Sequence, residues 1–427
     1  MKLGNDSRGR INQWVASRED EILEFARDLI RIPSSPLTGD SEERVVKRTL
    51  EEFEKLGYDD AFIDDFGNVH GVIEGEDDDA GALMFNSHLD TVGPGDTSDW
   101  EHDPYGADVE DGILYGLGAG DMKSAVAAMV YAGGAIANMD VTPEHTIYVT
   151  GEIMETASEG HAMKYVVEDL GLDLCGVVVG EPTEMKVKRG HLGRVELTLH
   201  LEGETNPLYF TPAILERIEE LSQETWEHID LGTGYIEVKD LQPETPTNER
   251  APTSVDLLVD RQLTLGETEA DAYDELHEAV RTAREQYTDA FETEIETRTI
   301  DAQTWTGYRM EMERNYPPWL MDEDHGFVQD AKGVVDDVLE KDTPVTEWTF
   351  TTCGNYTKGV ADIPTIGFGP ADENVVGEPD EHVAIEDVVA ATKERHGLSE
   401  EAIDEAIQGA LMDGQCYEPD ETTLKPI

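Results

Sequence analysis

Basic residues are scarce in this chain. Its 427 residues hold 31 Lys and Arg against 95 Asp and Glu, a formal charge of −64 at pH 7. So negative a surface repels polyanions and anionic headgroups, which excludes nucleic acid and membrane surfaces as partners. Cysteine is rarer still. Cys175, Cys353 and Cys416 form an odd set without a CxxC pair, so reduced thiols are expected and neither a disulfide framework nor a zinc ribbon. No apolar run approaches the roughly 18 residues of a membrane span, and the start, "MKLGNDSRGRINQW", shows no apolar signal region. These absences predict a soluble, cytoplasmic protein.

The acid is dispersed along the chain rather than gathered into one tail. Dispersed acid reads as surface, and such a surface self-repels in dilute buffer but is screened at high salt. A halophilic cytoplasm is the simplest explanation. Hydrophobic residues make up 38%, enough for a core, and the length favours two domains.

Apolar spacing then divides the chain. "INQWVASREDEILEFARDLIRIPSS" places Trp14, Ile22, Phe25, Leu29 and Ile30 on a helical stripe stopped by Pro33, predicting one amphipathic opening helix. The short runs "GALMF", "TIYVT", "GVVVG" and "PTIGF" read as buried strands separated by helices, one of them over 121–137. Strands alternating with helices predict an α/β fold.

From about Gly190 the period changes to two, with Val195, Leu197, Leu199 and Leu201 on one face. A helix over 212–228, the strands "GYIEVKDL" and "TSVDLLVDRQLTL", a helix over 267–286 and the strand "TEIETRTI" follow. This order is that of a ferredoxin-like α+β unit. The division is therefore 1–189 with 305–427 as one discontinuous domain and 190–304 as an insertion. The acidic tail after about 397 is expected to be helical at first, then loose.

Four stretches can carry chemistry. In "MFNSHLDTVGPGD", His88 and Asp90 are two apart at a strand end, a spacing that aims both to one side. In "YGLGAGDMKSAVAAM", Asp121 opens a helix, where the bland role is an N-cap. Glu181 follows the strand "GVVVG" and precedes Pro182, facing the crevice where α/β folds bind ligands. In "VTGEIMETASEG", Glu155 lies just past a strand and Thr156 follows it.

Taken together, HLD, GAGDMK, a Glu after a strand and GEPT resemble the co-catalytic zinc amidohydrolases and exopeptidases. That family includes acetylornithine deacetylase, succinyl-diaminopimelate desuccinylase and carboxypeptidase G. "WEHDPYGADVEDGILYG", "VDRQLTLGET", "EWTFTTCGNYT" and "IGFGPADE" extend the likeness from about Arg18 to Ala391. The resemblance implies a zinc-exopeptidase-like mixed sheet flanked by helices, with the insertion as a lid and homodimerisation unit. It also implies a metal on His88, Asp121 and Glu181, Asp90 behind the ligands, and Glu155 as general base. The metal would be Zn2+, with Co2+ or Mn2+ as alternatives, and the substrate an N-acyl amino acid or small peptide.

The chain also departs from the family. Thr156 replaces an acid and Gly377 a histidine, both ligands of a second metal, while His382 lies five residues beyond. The lid segment "LEGETNPLYFTPAIL" has no counterpart of the family's oxyanion-stabilising histidine, and His200 sits upstream within a strand. The family's substrate arginine aligns with Gln262, beside Arg261 on the opposite face of its strand, and Asn248 is one residue out of register with a family asparagine. One metal, and an attenuated hydrolase, are therefore expected. The alternative is a non-catalytic descendant that binds or regulates.

Overall fold

The computed structural model describes residues 5–39, 41–77, 80–139, 142–223, 227–287, 291–394, 416–420 and 423–426. The opening stripe forms two helices rather than the single one predicted, α1 (Asn5–Ala16) and α2 (Glu19–Ile30). The break falls where Ser17 Oγ donates to the Trp14 carbonyl at 2.7 Å and Arg18 takes φ −127°, a local bond that competes with the helix. Ile22, Phe25, Leu29 and Ile30 are buried as the spacing predicts. Helix α3 (Glu43–Leu56) buries Val45, Val46, Phe53 and Leu56 and ends on Gly57 at φ +76°, a left-handed cap.

The apolar runs build a mixed sheet. β1 (Asp60–Ile63) and β2 (Val69–Ile73) pair antiparallel, and β2 pairs antiparallel with β4 (Thr146–Glu152). β4, β3 (Ala82–His88) and β5 (Leu174–Val179) lie side by side and parallel. Every residue of β3 is buried, which is why "ALMF" shows no polar alternation. Helix α4 (Lys123–Ala137) lies between β3 and β4 in sequence and is buried on nearly every side. Its small residues permit this: a Cβ on Gly133 would stand 2.1 Å from Tyr58 Oη.

The chain then enters the α+β unit. β6 (Val187–His191) leads to β7 (Gly193–Gly203), α5 (Thr211–Ser222), β8 (Ile236–Glu244), β9 (Ser254–Leu263), α6 (Glu269–Gln286) and β10 (Phe291–Thr297). The strand order β8-β9-β7-β10, antiparallel throughout, is ferredoxin-like. Val195, Leu197, Leu199 and Leu201 are all fully buried, in a hydrophobic cluster separate from that of the large sheet. Two elements differ from expectation. The helix predicted over 212–228 ends at Ser222, because Glu227–His228 pairs with Gly232–Thr233 in a hairpin connected by residues 229–231 and entered again at Gly232, φ +80°. The run "TEIETRTI" splits at Arg298, where Asn315–Tyr316 takes over the edge of β7.

β11 (Trp319–Leu320), α7 (Gly326–Leu339), β12 (Val345–Trp348), β13 (Thr365–Gly367) and α8 (Ile385–Glu394) complete the large sheet and its helical cover. Its order among the described residues is β1-β2-β4-β3-β5-β13-β6-β11, with β12 also on β6. The tail expected to be helical lies outside the described residues, and the stretch expected to be loose contains a strand pair, Cys416–Asp420 with Thr423–Pro426. Among the described residues no helix is long and apolar enough to cross a membrane. What positions the site is the parallel trio: β3, β4 and β5 deliver their carboxyl ends to one edge.

Candidate metal centre

His88 closes β3 and is 1% exposed. Its Nδ1 lies 2.9 Å from the Asp90 carbonyl oxygen, a bond that only a protonated Nδ1 can make, so Nε2 is the nitrogen turned toward the acids. That Nε2 sits 3.1 Å from Asp121 Oδ1 and 3.6 Å from Glu181 Oε1. Nε2 can meet these carboxylates as the N–H of an imidazolium or, once deprotonated, through a cation held between them. Ligand atoms of His88, Asp121 and Glu181 all lie within 4.8 Å of one another, and among the described residues only this group meets that spacing.

The surroundings sharpen the demand for positive charge. Glu181 Oε2, Glu155 Oε1 and both carboxyl oxygens of Glu152 are buried without a hydrogen-bond partner. Burial, then the Asp121 charge, pushes Glu181 well above the usual carboxylate range, and burial does the same to Glu155. Burial opposes charge on His88 and Asp121 as well, but each is overcome by the other: His88 is raised and Asp121 held low. Buried acids in such excess are stable only when protonated or neutralised by a cation. The donor set of one imidazole and two carboxylates fits zinc.

Each ligand is placed by its local chain. Asp121 precedes α4 but does not cap it, since Met122 is the N-cap residue and makes no side-chain cap bond. The bland N-cap role is thus not the one Asp121 takes; its carboxylate turns to His88. Glu381 Oε1 fixes that turn by accepting the amides of Gly120 and Asp121, both at 2.8 Å. Glu181 stands two residues past β5, and the Pro182 carbonyl accepts Trp348 Nε1 at 2.8 Å.

Asp90 lies beside the imidazole but makes its side-chain hydrogen bonds elsewhere. β3 ends at His88, and the Asp90 side chain two residues on is 3.8 Å from His88 Nδ1. Its Oδ1 accepts the Glu155 amide at 3.1 Å, and its Oδ2 accepts Thr156 N and Oγ1 at 2.9 and 2.6 Å. Asp90 therefore touches the imidazole through its backbone and the Glu155 turn through its carboxylate.

The remaining candidates are not part of the ligand group. Gly377 takes φ +70°, and His382 Nδ1 lies 2.8 Å from the Asp380 carbonyl, its ring tilted against Tyr115. His200 pairs with Asp256 on the insertion. Arg261 is fully buried and bound by Glu267 and Glu275, whereas Gln262 points the other way and donates to the Thr349 carbonyl at 3.4 Å. Asn248 lies on an exposed loop. The motif reading missed Glu152, registered opposite His88, and Glu381. Both had a signal: Glu152 is an acid ending an apolar strand, as Glu181 nearly is, and Glu381 stands in the same loop as Gly377.

A mixed sheet with such a cluster at its carboxyl edge and an α+β insertion defines the class of metal-dependent peptidases and amidohydrolases. Within it the chain belongs to peptidase family M20/M25/M40, whose sequence profile matches residues 84–396. It is 33% identical over 373 residues to the uncharacterized protein YgeY of Escherichia coli (strain K12), covering 84% of this chain and 89% of that one. It is 36% identical over 194 residues to a succinyl-diaminopimelate desuccinylase of Phenylobacterium zucineum, covering 43% and 49%. The M20 family metallo-carboxypeptidase Sso-CP2 of Sulfolobus solfataricus shares the fold with a TM-score of 0.69 at 15% identity, over 91% of this chain and 99% of that one.

Proposed function

We propose that this protein cleaves the amide bond of an N-acyl amino acid or small peptide, using one metal ion on His88, Asp121 and Glu181. The observation that carries this reading is His88 Nε2 standing 3.1 Å from the Asp121 carboxylate and 3.6 Å from that of Glu181, with ligand atoms of all three within 4.8 Å of one another. Zn2+ suits the donor set, and Co2+ or Mn2+ can substitute. Bound there, the ion supplies Lewis acidity to a substrate carbonyl. Glu155 is the general base: it takes a proton from the attacking water and passes it to the leaving amine, a task for which its burial and raised proton affinity are suited. Asp90 holds the turn that carries it. The desuccinylase named above supports an N-acyl amino acid as substrate class.

The insertion, 190–304, acts as lid and homodimer contact, with Gln262 facing the rest of the chain, and the protein works in a salt-rich cytoplasm. The second reading, a non-catalytic descendant, draws on Thr156, whose hydroxyl is committed to Asp90, and on Gly377, which offers no side chain. Elemental analysis before and after chelation, with a panel of N-acyl amino acids and dipeptides, separates the two. Hydrolysis expects about one zinc per chain and turnover that disappears with the metal. Stoichiometric zinc without turnover on any panel member sinks it in favour of the descendant.

A further inference from the structure

The turn that carries Glu155 is held through its backbone. It leaves β4 with Met154 at φ +62°, a left-handed conformation that costs a non-glycine residue about 1–2 kcal/mol and persists only where its surroundings impose it. Four consecutive amides are accepted by side chains from three other places in the chain. Asn68 Oδ1 takes Ile153 N at 3.1 Å, Glu42 Oε1 takes Met154 N at 2.9 Å, and Asp90 takes Glu155 N and Thr156 N. Asn68 is itself fixed, its Nδ2 donating to Asp64 Oδ2 at 3.0 Å, and Asp64 lies 2.9 Å from His70 Nε2.

Glu42 is the least explained of these acceptors. It lies 112 residues before Met154, is 3% exposed, and stands at the start of α3 without capping that helix through its side chain. A carboxyl buried there costs stability that an apolar side chain would not. Its bond to Met154 is directed at the one residue of the turn with the unfavourable backbone.

We propose that Glu42 is a positioning residue for Glu155, holding the Met154 amide so that the base is presented to the metal centre. The proposal rests on Glu155 acting as general base. Without an acceptor at residue 42 the Met154 amide is left unpaired and the turn relaxes, and displacements of about 1 Å in such groups cost on the order of 100-fold in rate. A glutamine keeps an acceptor oxygen at the same reach, so the conservative variant separates positioning from charge.

The test compares wild type, Glu42→Gln and Glu42→Leu as full-length protein, with Glu42→Met replacing the leucine variant should that one fail to fold. Hydrogen exchange of the peptide covering 148–160 is measured first. Wild type and Glu42→Gln should be protected alike, with exchange on the order of 10-fold faster in Glu42→Leu. On any substrate the wild type turns over, Glu42→Leu should lower kcat by roughly 10- to 100-fold with KM little changed, and Glu42→Gln should restore it. Unchanged protection in Glu42→Leu overturns the proposal, as does a Glu42→Gln variant as impaired as the leucine. A wild type inert on the whole panel counts against the hydrolase reading, while hydrogen exchange still decides the role of Glu42.

Discussion

Thr156 Oγ1 donates to Asp90 Oδ2 at 2.6 Å. The same buried carboxylate accepts the amides of Glu155 and Thr156, so the hydroxyl is the third donor on a group that would otherwise add to the excess of acid. A glutamate here could not donate. It would set another carboxylate against Asp90, tolerable only with a cation between them.

That relationship predicts how the second metal position responds to repair. Thr156→Glu alone should destabilise the chain by about 1–3 kcal/mol through the lost donor and unpaired charge, without adding metal. Combined with Gly377→His, it should raise the metal content from about one to about two per chain. The backbone at Gly377 is left-handed, but the nearest heavy atom to an added Cβ is 3.5 Å away, and histidine is among the residues enriched in that region. Elemental analysis of the double variant decides it. A double variant that binds no more metal than wild type would show that the scaffold lacks more than two ligands.

Replacing Glu155 by Gln separates base from ligand. A general base contributes typically 10²–10⁴-fold, so turnover should fall by about that factor while metal content stays at the wild-type value. Metal falling in parallel with turnover would make Glu155 a ligand and overturn its assignment.

The large features were legible because they rest on short-range patterns. Uninterrupted apolar runs announce β3, β4 and β5, and the period-two face of Val195 to Leu201 announces the insertion. His88, Asp121 and Glu181 could be named because each stands at a strand end or a glycine-rich turn. The double helix at the start was hidden because one serine bonding back to Trp14 breaks a stripe whose periodicity continues. The place of Asp90 beside the imidazole could be read from its spacing, but its bonds to the Glu155 and Thr156 amides could not, because they lie 65 and 66 residues away. Glu42 was invisible, since its partner is a backbone amide 112 residues away and no local pattern encodes that distance.

Glu42 also predicts a pH dependence. Burial, then the Asp90 charge, pushes its carboxyl up to about 8. The folded state therefore holds a proton that the unfolded chain releases near the ordinary glutamate value. Its contribution is fully present below that value and is lost as pH rises through about 8. Relative to Glu42→Gln, wild type should lose at most about 1.4 kcal/mol for each pH unit across that window. Denaturant midpoints of the two proteins at pH 5, 6, 7 and 8 measure it. Parallel curves would mean that Glu42 titrates alike in both states.

The remaining prediction concerns salt, and two kinds of charge have to be separated. A few of the scarce cations are engaged away from solvent: Arg261 is fully buried against Glu267 and Glu275, and the part-buried Arg194 is bound by Asp260, Glu159 and Glu196. Most of the 95 acids have no such partner available, because the chain holds 31 Lys and Arg. Their mutual repulsion reaches about 10 Å at 0.1 M salt and about 3 Å at 1 M. Tm should therefore rise by roughly 10 °C or more between 0.1 M and 2 M KCl. Buried pairs are screened far less, so Arg261→Met should alter stability by a similar amount at both salt concentrations, leaving Glu267 and Glu275 without their partner at a cost of about 3–5 kcal/mol. A flat Tm across the salt series would remove the argument for a salt-rich cytoplasm. An Arg261→Met penalty that vanishes at 2 M KCl would mean that this pair belongs with the screened surface.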